Sequence, residues 1–289
     1  MLKLTDPEFI RKLEMLSLLA RKVLGGTLKA DRKTAKKGSG TTFADYTEYN
    51  FGDDYRSIDW NIYARLEHLV IKLFELEEDL HIYLLVDFSH SMYGKSRLAR
   101  QLAGALGYIA LNNLDRLTVY ALADHLKPIL KPAHGRNRLL PMLQALESAE
   151  CFGHDTDFEQ CIKEFQSRKH RSGLCIIISD FFVSGALEKS LDYLLWNRHD
   201  LFCLQVYSET DVQCKLRGDV ELQCIETGEK RRVTIGPAEA ARFTAAVKTW
   251  NNRVQQACKQ RGIGFATAPV EVPFELIIQN ILRHGGLVK

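Results

Sequence analysis

The sequence predicts an α/β protein with a doubly wound, mostly parallel sheet from about residue 80 onward. Three observations lead there. Apolar runs such as HIYLLV, LTVYALA, LCIII and LFCLQVY are nearly continuous rather than alternating, which marks strands buried on both faces. Helical apolar patterns separate them, as at 96–113, where Leu98, Leu102, Leu106 and Ile109 share one face. Strands alternating with such helices build a parallel sheet covered on both sides.

Each element follows in order. Phe9, Ile10, Leu13, Leu16, Leu19 and Leu24 space an amphipathic helix over 7–25, ended by Gly25-Gly26. A basic stretch with Lys29, Arg32, Lys33, Lys36 and Lys37 leads into Gly38-Ser39-Gly40 and reads as a mobile, solvated loop. Residues 42–65 are aromatic and densely charged, and periodicity does not place them. LVIKLFELEE alternates enough for a strand. After the strand HIYLLVDFS and the helix at 96–113 come LTVYALA, helical patterns at about 136–148 and 157–168, the strand LCIIISD, a helix at about 186–196, and LFCLQVY. VELQCIET and KRRVTI, joined around Gly228, form an added hairpin at about 219–235. A long helix from Pro237 to about Arg261, the strand IGFATA and the helix FELIIQNILR complete the chain. The expected organisation is an N-terminal helix and strand appendage over 1–79 and a sheet domain over 80–289.

Composition limits the function. The 289 residues are 46% hydrophobic and 26% charged, with a formal net charge of +3. That balance suits a soluble globular chain and gives no strong pull toward nucleic acid or membranes. The basic stretch lacks the interleaved aromatics that stack bases, so no nucleic-acid role is expected. No apolar run reaches the roughly 20 residues of a membrane span, and the N-terminus lacks the apolar core of a signal peptide. Seven cysteines with no CxxC pair fit reduced, mostly buried thiols in a cytoplasmic protein, as for Cys175 and Cys203 inside apolar runs.

Three loops carry the chemistry. Asp87-Phe88-Ser89-His90-Ser91 follows the strand HIYLLV, His154-Asp155-Thr156-Asp157 precedes a helix, and Ser179-Asp180 follows LCIII. Loops at the carboxyl ends of parallel strands gather on one rim, where ligands bind. Hydroxyls and carboxylates are hard oxygen ligands, suited to Mg²⁺, Mn²⁺ or Ca²⁺. A competing reading makes Ser89, Ser91 and Thr156 simple helix caps. His90 and His154 beside these loops read as solvated histidines, since imidazole suits softer metals.

DFSHS resembles the DxSxS motif of von Willebrand factor A domains, whose sheet is Rossmann-like. Thr156 and Asp180 match the threonine and strand-end aspartate that complete that family's metal-ion-dependent adhesion site. The resemblance implies Ser89, Ser91 and Thr156 as direct ligands, with Asp87 and Asp180 acting directly or through water. It also implies an open coordination position for a partner's Asp or Glu. GDDYRSIDWNIYAR at 52–65, the following VIKLFELEEDLHIYLLVDFSHSM, ETGE at 226–229 and VPFELIIQNILR are similar to the bacterial domain of unknown function 58 family, over nearly the whole chain. That likeness implies a binding partner or adaptor of a MoxR-type AAA+ ATPase.

Within 52–65, Asp53, Asp54, Arg56, Asp59, Trp60 and Arg65 are the candidates for a partner-binding surface. The charged members could equally form a structural ion network, and Trp60 and Tyr63 read as buried packing. Two further functions compete with a metal-dependent binding module. A phosphohydrolase with Asp87 as nucleophile would want DxD, but position 89 is serine, and no P-loop is present. A metal-free scaffold would bind through residues 42–78.

Overall fold

The computed structural model describes residues 3–31, 33–37, 42–77, 80–152, 157–183, 185, 187–224 and 228–283, with the backbone alone for 21–31, 33–37, 42–44 and 74–77. The chain divides into two compact units, residues 21–79 and residues 1–20 with 80–289. The first 20 residues of the segment read as an appendage thus group with the sheet domain. Phe9, Leu13, Leu16 and Ala20 of helix α1 (Pro7–Asp31) are buried, and Phe9 packs 5.0 Å from Phe274, ring to ring.

The larger unit is built on a six-stranded sheet. Its strands are β4 (His81–Asp87), β5 (Arg116–Leu122), β6 (Lys127–His134), β7 (Leu174–Ser179), β8 (Asp200–Tyr207) and β11 (Gly264–Pro269), in the order β11-β8-β7-β4-β5-β6. All neighbours pair parallel except β5 and β6. Every residue of β7 is buried, as its unbroken apolar run requires. β6 was not legible in the sequence. Pro128 and Pro132 interrupt it, and proline cannot donate to a ladder, so it fits only at the edge. Its pairing with β5 is irregular in two places.

Helices cover both faces. On one side lie α3 (Ser96–Asn112), α4 (Leu139–Ser148) and α9 (Phe274–Arg283). On the other lie α5 (Phe158–Ser167), α6 (Leu187–Trp196) and α8 (Pro237–Gln260). The second core joins Tyr83 and Leu85 of β4 to Phe165, Leu191, Val254 and Cys258 from these three helices. The short helix α7 (Glu209–Val212) follows β8. The hairpin forms as expected from β9 (Gly218–Gln223) and β10 (Lys230–Ile235), with Gly228 at φ +72° in its turn.

The smaller unit is an antiparallel sheet of β1 (Lys33–Lys37), β2 (Thr42–Glu48) and β3 (Val70–Glu77), ordered β1-β3-β2, with helix α2 (Trp60–Leu66). Two expectations fail here. The helix read as ending at Gly25-Gly26 continues to Asp31. A glycine costs about 1 kcal/mol in a helix, which does not by itself end one. The basic stretch read as a loop is strand over 33–37, in a register that sets Lys33 opposite Glu77. Gly38-Ser39-Gly40 lies outside the described residues.

Candidate metal centre

The sheet brings two of the three loops together directly. β4 and β7 are parallel neighbours, with Val86 opposite Ile178, so Asp87 and Ser179 close adjacent strands. Ser179 Oγ donates to Asp87 Oδ2 at 2.6 Å, and the Ser89 N–H donates to Asp87 Oδ1 at 3.0 Å. Asp87, Ser89 and Asp180 are buried, and Ser91 is partly exposed. Burial and the nearby Asp180 charge push the Asp87 carboxyl up to about 6, against the hydrogen bonds from Ser179 and Ser89.

The serines are not helix caps. Ser89 precedes a single 3₁₀ turn at His90–Met92 without a capping hydrogen bond, and the residue before α3 is Lys95. α5 is capped by Asp157, whose carboxylate takes the Gln160 N–H at 2.8 Å. Ser89 Oγ instead lies 2.9 Å from Ser91 Oγ. Adjacent oxygens on a Mg²⁺ octahedron with ligands at ~2.0–2.1 Å are also ~2.9 Å apart. Among the described residues no three His, Cys, Asp or Glu side chains converge to hold a metal. The donor set on offer is therefore two carboxylates and hydroxyls, the hard-oxygen chemistry that suits Mg²⁺.

Thr156, with His154, lies outside the described residues. The residues on either side of this gap are anchored near the site. The Phe152 N–H donates to Phe88 O at 2.9 Å, and the Asp157 N–H to Ala123 O at 3.1 Å.

The Asp180 loop is held by unusual means. Phe181 sits at φ +58°, a left-handed conformation disfavoured for a bulky residue. Its N–H donates to Ser179 Oγ, and its carbonyl accepts from Trp250 Nε1 at 3.0 Å. The Phe182 N–H donates to Asp180 Oδ1, and Gln205 Nε2 donates to Asp180 O at 3.1 Å. Lys95 Nζ donates to Asp180 Oδ2 at 2.6 Å and lies 3.3 Å from Asp211 Oδ2. Sequence reasoning named Ser179 only as part of the strand-end loop, and it missed Lys95, Gln205 and Asp211. One signal was available for Lys95: a cation at a helix N-terminus opposes the helix dipole, so it needs acidic partners.

The segment 52–65 lies in the smaller unit and corrects one reading. Trp60 is 58% exposed and Tyr63 42% exposed, so neither is buried packing. α2 is too short to bury a face, and the two rings pack edge to face at 6.1 Å. The acidic residues mainly close turns. Asp53 takes the Asn50 N–H, Asp54 takes the Arg56 N–H, and Asp59 caps α2 through the Asn61 and Ile62 N–H groups. Buried Asp59 also pairs with Lys72 Nζ at 3.0 Å. Arg56 stacks over Tyr55, and Arg65 is exposed at the last turn of α2.

A mostly parallel sheet with one antiparallel edge, and a DxSxS loop at the carboxyl end of a central strand, make the arrangement expected from the sequence resemblance to von Willebrand factor A domains. The chain belongs to the family described as Protein of unknown function DUF58, whose model matches residues 45–254. It is similar to the uncharacterized proteins Mb1516 of Mycobacterium bovis and Rv1480 of Mycobacterium tuberculosis. Each is 28% identical over 268 residues, covering 90% of this chain and 83% of the relative. Among solved structures, it resembles the conserved hypothetical protein BatB from Bacteroides thetaiotaomicron at a TM-score of 0.41. Identity there is 13%, with 71% of this chain and 98% of that one covered. Manganese-loaded TRAP protein of Plasmodium vivax gives a TM-score of 0.36 at 17% identity, covering 44% of this chain and 57% of that one. Among the described residues no helix is long and apolar enough to cross a membrane.

Proposed function

We propose that the chain is a non-enzymatic, metal-dependent protein-binding module of the cytoplasm. Mg²⁺ is the proposed ion, with Mn²⁺ and Ca²⁺ as chemical alternatives, held by Asp87, Ser89, Ser91, Thr156 and Asp180. An ion held there would supply Lewis-acid attraction for a carboxylate oxygen from the partner. The observation that carries this reading is the pair of serine hydroxyls 2.9 Å apart, free of any capping role, beside two buried carboxylates.

Two features favour binding over chemistry. Position 89 offers a hydroxyl where a DxD phosphotransferase has a second carboxylate. Both Asp87 oxygens accept hydrogen bonds, from the Ser89 N–H and from Ser179 Oγ, which suits a positioned anion better than an attacking one. The proposed partner is a MoxR-type AAA+ ATPase presenting an acidic residue, for which this chain serves as adaptor in protein maturation or complex assembly. The family likeness supports that choice of partner.

A pull-down tests it. The tagged chain should retain the MoxR-type ATPase of its own organism in Mg²⁺ and lose it in EDTA or in Asp87→Ala. Retention that survives EDTA would favour a metal-free surface in residues 42–78.

A further inference from the structure

Lys95 is a buried cation that the metal site does not use. It is 5% exposed, and its ammonium sits on Asp180 Oδ2 at 2.6 Å and near Asp211 Oδ2 at 3.3 Å. Asp180 thereby has one oxygen on an ammonium and the other on the Phe182 N–H. Asp211 differs from Asp180 in being partly exposed, with 26% of its side chain accessible, and in belonging to the short helix α7 after β8. Its carboxylate also accepts from the Ser208 N–H at 2.8 Å.

We propose that Lys95 is a tethered counter-ion that competes with the divalent metal for Asp180, and that Asp211 is the seat that takes the ammonium when metal binds. The inference rests on the metal-site reading above. A divalent ion and an ammonium on one carboxylate repel each other strongly in a buried site of low dielectric. Metal loading therefore weakens the Lys95–Asp180 pair, and Asp211 holds the displaced charge without returning it to water. Without metal, Lys95 neutralises one of two buried carboxylates that would otherwise face each other uncompensated. The chain can thus stay folded while metal-free, and loading is coupled to the segment at 208–212. By linkage, whatever draws Asp211 away from Lys95 lowers the metal affinity by the factor by which metal opposes it.

Calorimetric titration with Mg²⁺ and with Mn²⁺ tests this on the full chain. Lys95→Met keeps the apolar stem and removes the charge. It should bind metal about 10-fold or more tightly than the native chain, within the usual range of coupled sites. Its melting temperature in EDTA should fall, and metal should restore much of the loss. Asp211→Asn, which needs no buried residue removed, should bind metal more weakly. Most of that weakening should vanish in the Lys95→Met background. Equal affinity in the native chain and Lys95→Met overturns the inference and leaves the metal site standing. No binding by the native chain together with binding by Lys95→Met supports it. No binding by either overturns both. Should Lys95→Met not fold, an Asp211→Asn affinity equal to the native one is sufficient to overturn it.

Discussion

At the scale of single residues, the separation of roles at Ser89 and Asp59 is open to direct test. Ser89 Oγ has Ser91 Oγ as its partner and caps no helix. Ser89→Ala should lower stability in EDTA by about 1 kcal/mol, the ordinary worth of one hydrogen bond, yet weaken Mg²⁺ binding at least about 10-fold, the worth of one lost metal-oriented group. The reverse pattern in denaturant melts and titrations would make it a structural hydroxyl. Asp59 is held below the usual carboxylate range, first by its hydrogen bond to Lys72 and then by the backbone N–H groups of α2. A lowered folded-state pKa stabilises above the unfolded value, and that stabilisation is lost as pH falls through the folded one. Asp59→Asn keeps a capping side chain without the charge. The native advantage over Asp59→Asn should therefore be full at neutral pH and shrink as pH drops through the acid range, read by thermal melts. An advantage that stays constant down to acid unfolding would contradict the ion pair.

The rim that carries the proposed site was legible in the sequence because most of its residues are local. Asp87 ends one recognisable strand, with Ser89 and Ser91 on the loop that follows it, and Asp180 comes directly after another. Lys95 and Asp211 were not legible. Their meeting depends on the order β8-β7-β4, which sets loops from residues 95, 180 and 211 side by side. Trp60 was misread because aromatics beside charges suggest packing, and the shortness of α2 is invisible to periodicity.

At the scale of elements, packing sets the tolerance. A Cβ on Gly173 would meet the His81 backbone carbonyl, where the turn before β7 passes β4. Backbone cannot rotate away as a side chain can. Gly173→Ala should cost about 1–3 kcal/mol, measured by urea unfolding, and an unchanged midpoint would show that the two strands can separate there freely. The buried parallel strands were legible because burial on both faces leaves a continuous apolar run. The edge strand β6 was not, since an edge admits prolines and lysines that a central strand excludes. β1 was hidden for a related reason. A basic strand has no apolar signature, and it is defined by its pairing with β3.

At the scale of the whole molecule, the thiols report the core. Cys161, Cys175, Cys203 and Cys258 are buried, Cys151 and Cys214 are partly exposed, and Cys224 is exposed, with no disulfide among the described residues. Burial pushes the Cys161 thiol up to about 12, which removes its thiolate at neutral pH. Ellman's reagent should modify Cys224 first in the native chain and reach the four buried thiols only after unfolding. Rapid reaction of those four at native conditions would mean that the sheet core opens readily.

On the proposal above, the DxSxS rim holds a divalent ion that stabilises the fold. Melting temperature as a function of free Mg²⁺, for the native chain and Asp87→Ala, tests it most directly. At about 100 times the dissociation constant, binding should add about 2.7 kcal/mol, a rise of about 4–5 °C for a chain of this size. Asp87→Ala should show no rise. A native chain whose melting temperature is flat in Mg²⁺, Mn²⁺ and Ca²⁺, or a rise that survives Asp87→Ala, would contradict it.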